Sequence, residues 1–108
     1  MRRFPCAHLE AEVELSDERA VHIRSRHPEV LPTFVDRIGC VLLHPDAVRR
    51  SARTANARLF SKWYDGDPEG KHLVVVVVSD VGPPRRHWIV TAYVARKLAA
   101  GDIQWPTS

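Results

Sequence analysis

Hydrophobic periodicity changes partway along the chain, and the change separates a helical part from an extended part. Residues 10–15 alternate polar and apolar side chains, which predicts a short edge strand. Ser16 then offers a capping hydroxyl, with Asp17 and Glu18 placed where the positive end of a helix favours anions. That helix should run to about Arg26, because Pro28 disfavours helical backbone at His27. Leu31, Phe34, Val35, Ile38 and Leu42 recur at helical spacing and predict a second helix, starting near Pro32 and stopped by Pro45. Beyond Asp46 the period becomes two. Strands are expected over residues 48–53, 58–64, 72–79 and 87–94, divided by the turn-forming stretches 54–56, 65–70 and 82–84. Five consecutive valines, Val74 to Val78, favour extended backbone and suggest a central strand covered on both faces. A short segment follows through Lys97, and Gly101 turns the chain toward Ile103 and Trp105.

The order of elements predicts an α+β fold: two N-terminal helices packed on one face of an antiparallel four- to five-stranded sheet. Residues 1–8 read as a flexible N-terminal arm and residues 9–108 as a single domain. A chain of 108 residues is too short to divide into two cores, and its 44% apolar content supports one without metals or disulfides. Residues 73–78 are far short of the roughly 20 apolar residues that span a bilayer, so no membrane partner is expected. Charge without an apolar stretch behind it makes the N-terminus unlike a secretory signal. A cytoplasmic setting follows as the expectation, with Cys6 and Cys40 reduced and structural.

Alternation sorts the strand residues into two faces. Leu59, Ser61 and Trp63 share one face of their strand with Trp88, Val90, Ala92 and Val94 of the last meander strand, and this apolar set is expected to meet the helices. The other face then carries Arg58, Phe60, Lys62 and Tyr64 together with His87, Ile89, Thr91 and Tyr93. Charge adds to that picture. Thirteen of the sixteen basic residues are arginine, whose planar fork matches phosphate oxygens, and the net charge is +3. Between Arg49 and Tyr64 stand Arg49, Arg50, Arg53, Arg58 and Lys62 with no carboxylate among them. Cations neutralise phosphates and aromatic rings stack on unpaired bases, so RNA is the expected partner. Arg49, Arg50, Arg53, Phe60, Tyr64 and His87 are the candidate binding residues. Metal-free RNA cleavage needs a base, an acid and a cation, and histidine serves as either of the first two near neutral pH.

Other chemistries lack their patterns. His22 and His27 lie five apart, no Cys/His spacing suits zinc, and neither a Gly-rich phosphate loop nor a serine-esterase elbow occurs. No metal and no cofactor is expected. His44, before Pro45, reads as a residue at a helix C-terminus.

The motifs also occur in a familiar order. His22-Ile23-Arg24-Ser25-Arg26-His27-Pro28-Glu29 is followed by an amphipathic helix and Leu43-His44-Pro45-Asp46-Ala47-Val48. Arg58-Leu59-Phe60-Ser61-Lys62, the valine strand and Ile89-Val90-Thr91-Ala92-Tyr93 come next. The series resembles the phage-associated nuclease-like families of the barnase–EndoU–colicin–RelE superfamily, from about Val21 to Trp105. That resemblance implies a RelE- or barnase-like α+β domain acting on RNA without a metal, in phage, toxin or conflict systems, sometimes with an antitoxin or immunity partner. It matches His22 to the family's helical histidine, Arg58 and Lys62 to the basic strand, and Thr91 and Tyr93 to the final motif. His27 also matches a motif position, where a structural role and a catalytic one stay open. The leading expectation is a toxin-like endoribonuclease that cleaves through a 2′,3′-cyclic phosphate. A non-catalytic RNA-binding module and a protein-interaction domain using the same sheet face are the alternatives.

Overall fold

The computed structural model describes residues 1–31, 35–54, 56–65, 70–81 and 85–98 and the backbone of 101–105. In chain order the elements are β1 (Arg2–Cys6), β2 (Ala11–Leu15), α1 (Asp17–Arg26), α2 (Val35–Leu43), β3 (Ala47–Ser51), β4 (Ala57–Tyr64), β5 (Lys71–Ser79), β6 (His87–Ala95) and β7 (Gly101–Trp105). One sheet takes all seven strands in the order β1-β2-β6-β5-β4-β3-β7. β5, with its valines, is the middle strand.

This architecture overturns the expected antiparallel sheet of four or five strands with two N-terminal helices on one face. The chain begins instead with a β-hairpin, β1–β2, in which Phe4 pairs with Val13 and Cys6 with Ala11. Residues 2–6 are therefore a strand and not a loose arm. β1 takes the sheet edge, and β2 lies inside it, parallel to β6 through Glu14 opposite Trp88, so the sheet is mixed. The hairpin escapes simple pattern reading because Pro5 interrupts an otherwise alternating Arg3-Phe4-Pro5-Cys6. On an edge strand the missing proline N–H costs no ladder bond, and Pro5 is exposed there while Phe4 and Cys6 are buried.

The helices form where local chemistry favours them. Ser16 Oγ accepts a hydrogen bond from the Arg19 N–H, Asp17 and Glu18 occupy the first turn of α1, and Arg24 and Arg26 the last. His27 ends the helix, its N–H donating to the Ile23 carbonyl before Pro28. α1 packs along β6, while α2 lies across β1, β4 and β5. α2 begins at Val35; the expected start near Pro32, and Phe34 with it, falls outside the described residues. Gly39 lets the Phe4 ring approach α2, since a Cβ there would lie 3.2 Å from it. No helix among the described residues is long and apolar enough to cross a membrane.

The core lies between the helices and one face of the sheet. Ile23, Ile38, Val41 and Leu42 meet Val13, Leu15, Val48, Phe60, Val75, Val77 and Ile89 there. One irregularity decides which side chains of β6 join them. Val76 pairs with Thr91 and Val77 with Ile89, so Val90 is an extra residue in β6, a β-bulge. Below the bulge His87 and Ile89 face the helices; above it Ala92 and Val94 do, and Thr91 and Tyr93 turn to the opposite face.

Deletion of Val90 is expected to abolish cooperative urea unfolding, because one of the two buried sets must then turn outward. Val90→Ala keeps the residue count and should cost only about 1 kcal/mol. Near-equal denaturation midpoints for the two variants would show that the bulge does not set the register.

Candidate functional site

Arg58, Phe60, Lys62 and Tyr64 share one face of β4 as alternation requires, but it is the face beneath α2 and the N-terminal hairpin. Phe60 is fully buried and His8 meets it edge-on, with ring centroids 5.9 Å apart. Tyr64 packs against the core under the Arg37 guanidinium, 4.6 Å above its ring. Its hydroxyl is buried with no oxygen or nitrogen partner among the described residues, and burial, with the Cys40 thiol beside it, pushes its pKa up to about 12. Neither ring is a stacking platform. The expected assignment was inverted because Leu59 and Trp63 are as apolar as Phe60 and Tyr64. Alternation separates the two sets without saying which lies inside.

Arg58 and Lys62 tolerate the inner face because each reaches a polar partner at its rim. Arg58 Nη1 donates to Ser79 Oγ at 3.3 Å, and Lys62 Nζ donates to the His44 carbonyl at 3.0 Å. Ser79 Oγ also lies 2.6 Å from His87 Nδ1. With Arg58 on one lone pair, Oγ keeps its proton and a second lone pair, and either can meet Nδ1, according to the imidazole tautomer. Burial, reinforced by Arg58 and Arg85, pushes the His87 pKa down. His87 is 4% exposed. It closes the β5–β6 end of the core and is not a surface binder. Burial, then Arg50 and Arg85, lowers Arg58 too, which gathers three cations at this end of the sheet. Burial raises the nearby Cys6 thiol, keeping it protonated. Arg49 belongs to the opposite face, opposite Leu59, and Arg53 is exposed in the turn after β3, its N–H donating to Ser51 Oγ.

Thr91 and Tyr93 are thus separated from Arg58 and Lys62 by the thickness of the sheet, and the expected five-residue catalytic face does not exist. A different neighbour reaches Tyr93. The ring of His27, at the C-terminus of α1, lies 6.0 Å from the Tyr93 ring, and its Nδ1 is 3.4 Å from Glu29 Oε1. Burial raises the Tyr93 pKa, so the phenol stays a neutral donor at physiological pH. Thr91 follows two positions earlier on the same face, about 7 Å along the strand, and its hydroxyl is buried with no partner among the described residues. Glu29, His27, Tyr93 and Thr91 make a carboxylate–imidazole–phenol–hydroxyl group, with exposed Arg24 and Arg26 in the adjoining turn.

His22 does not join it. Five residues turn a helix by roughly 140°, so His22 and the end of α1 point in different directions. No hydrogen bond or ring contact engages His22 among the described residues. Glu29 carried no signal by itself in the sequence, and His27 was ambiguous. What identifies them is that the His27-Pro28-Glu29 and Thr91-Ala92-Tyr93 segments meet in space. Among the described residues no group of three or more His, Cys, Asp or Glu side chains is disposed to hold a metal. No family model, curated protein or solved structure matches this chain.

The folded-state pKa of His87 lies below its unfolded value of 6.5. As pH falls below that value the unfolded chain takes up the proton first, so stability is lost with acidification. Thermal denaturation between pH 7.5 and 5.5 should therefore show a larger drop in Tm for the wild type than for His87→Gln. Equal drops would assign the acid sensitivity to other groups.

Proposed function

We propose that this chain is a metal-independent endoribonuclease working at the Glu29–His27–Tyr93 group. The observation that carries the reading is the meeting of His27, Glu29 and Tyr93 at the open side of β6. The His27 side chain is 32% exposed, so a substrate can reach it. With the Glu29 carboxylate beside Nδ1 favouring the proton on that nitrogen, the Nε2 lone pair is left to take the proton of a ribose 2′-hydroxyl. The 2′-oxygen then attacks the adjacent phosphorus, the P–O5′ bond breaks, and the leaving 5′-oxygen takes a proton from water, giving a 2′,3′-cyclic phosphate while His27 keeps the 2′-hydroxyl proton. Tyr93, kept neutral by burial, hydrogen-bonds a phosphoryl oxygen rather than acting as the base, while the Thr91 hydroxyl, itself buried, does not reach the substrate. Arg24 and Arg26 supply positive charge beside the reacting phosphate.

Incubation of the protein with single-stranded RNA in EDTA should yield 2′,3′-cyclic phosphate ends. His27→Ala and Tyr93→Phe should each lower turnover by about 10²-fold or more, the usual scale of a lost acid–base or oxyanion contact. His22→Ala should leave it within a few-fold. RNA bound but uncut would make the domain a binding module, and no affinity for RNA would leave a protein-interaction domain.

Replacing Arg24 and Arg26 together with glutamine should weaken RNA binding and reduce the log–log salt slope by roughly 0.7 per lost contact. An unchanged slope would mean that these cations face away from the phosphates.

A further inference from the structure

A second concavity lies on the helix side of the sheet, between the turn of the N-terminal hairpin and the end of α2. Its volume is about 540 Å³, within the range of small-ligand clefts. Ala7, Leu43 and Pro45 give it apolar walls, and the His8 ring, set edge-on to Phe60, gives it an aromatic one. At its polar side Lys62 Nζ stands 3.6 Å from Asp46 Oδ1. Both groups are held. Asp46 Oδ2 accepts the Trp63 N–H at 2.6 Å, and Lys62 donates to the His44 carbonyl, so the loose Oδ1–ammonium pair lines the cleft with hydrogen-bonding capacity beyond those two bonds.

Three ligand chemistries can be compared against this lining. A bare anion is disfavoured, because the Asp46 carboxylate and the carbonyl end of α2 both repel it. A metal cation is disfavoured by the ammonium beside that carboxylate. A planar heterocycle that presents a donor next to an acceptor satisfies both groups at once, while its faces lie against the His8 ring and the apolar walls. The Watson–Crick edge of every nucleobase is such a donor–acceptor pair, and unpaired bases are recognised by stacking on side-chain rings, histidine included.

We infer that the cleft between the hairpin turn and α2 binds an unpaired nucleobase, with Asp46 and Lys62 reading its Watson–Crick edge. The inference rests on the ribonuclease reading for its biological sense, since the cleft would select single-stranded substrate, but it is tested without cleavage. The protein is titrated with GMP, AMP, CMP and UMP, and with ribose 5-phosphate as the base-free control. Imidazole and backbone signals are followed by heteronuclear NMR. At least one mononucleotide should bind and shift His8, His44 and Lys62 signals, with ribose 5-phosphate at least tenfold weaker. Asp46→Asn and Lys62→Met should each weaken that nucleotide by about tenfold, provided their spectra and Tm match the wild type. Lys62→Gln, which keeps a donor, tests the site should Lys62→Met not fold, and it should lose less. Ribose 5-phosphate binding as well as the nucleotides, shifts confined to the Tyr93 side, or folded variants with wild-type affinity would overturn the inference. Cleavage without nucleotide binding here removes this site and leaves the proposed activity. Binding here without cleavage does the reverse.

Discussion

The sheet has seven strands, but the arrangement of chemistry depends on a single surplus residue, Val90, in β6. A strand presents its side chains to alternate faces, so without the bulge His87, Ile89, Thr91 and Tyr93 would all point the same way. With it, the strand supplies the core from both halves: Ile89 from one, Ala92 and Val94 from the other. The hydroxyls of Thr91 and Tyr93 are released to the far side. A bulge of this kind re-aims side chains at the cost of one disrupted ladder position. Here that position stands directly between a structural network, Arg58–Ser79–His87, and the group around Tyr93.

The division has an electrostatic counterpart. On the helix side, positive charge from Arg50, Arg58 and Arg85 is gathered beside a histidine that burial keeps neutral. That histidine and Ser79 satisfy each other, so their polarity serves the packing of the β5–β6 end. On the other side the phenol and the imidazole have capacity left over. Tyr93 has no hydrogen-bond partner among the described residues, and His27 has one nitrogen turned to Glu29.

How far the sequence reveals this depends on whether a residue's fate is local. α1 was legible because its caps, acids and Pro28 act within one turn, and the valine strand because five β-branched residues have little alternative. The bulge was not legible, since nothing about Val90 distinguishes it from its neighbours, and one missed residue misassigned four. The N-terminal hairpin was hidden by Pro5, whose tolerance depends on the edge position it ends up in. Phe60 and Leu59 illustrate a third kind of limit: both faces of β4 are apolar enough to be buried, and only the packing of distant α2 decides between them. At the candidate site, Tyr93 and Thr91 were recognisable as a pair, but their partner His27 is fixed by where α1 stops.

The β1–β2 hairpin is joined to the rest of the ladder by one register pair, Glu14 with Trp88, supported by the forked contact of Arg86 on the Glu14 carboxylate. Among the described residues it is also tied by the buried side chains of Phe4, Cys6, Val13 and Leu15, by His8 against Phe60 and by the N-terminal ammonium on Asp17, with Glu10 in left-handed backbone at its turn. Such a unit can detach as a whole without disturbing the β5 and β4 ladders. Its amide protons would then exchange with solvent together, through an opening smaller than global unfolding, while those of the valine strand wait for the complete transition. Each such opening would also bare Phe60, giving the innermost ring of the core an intermittent contact with water.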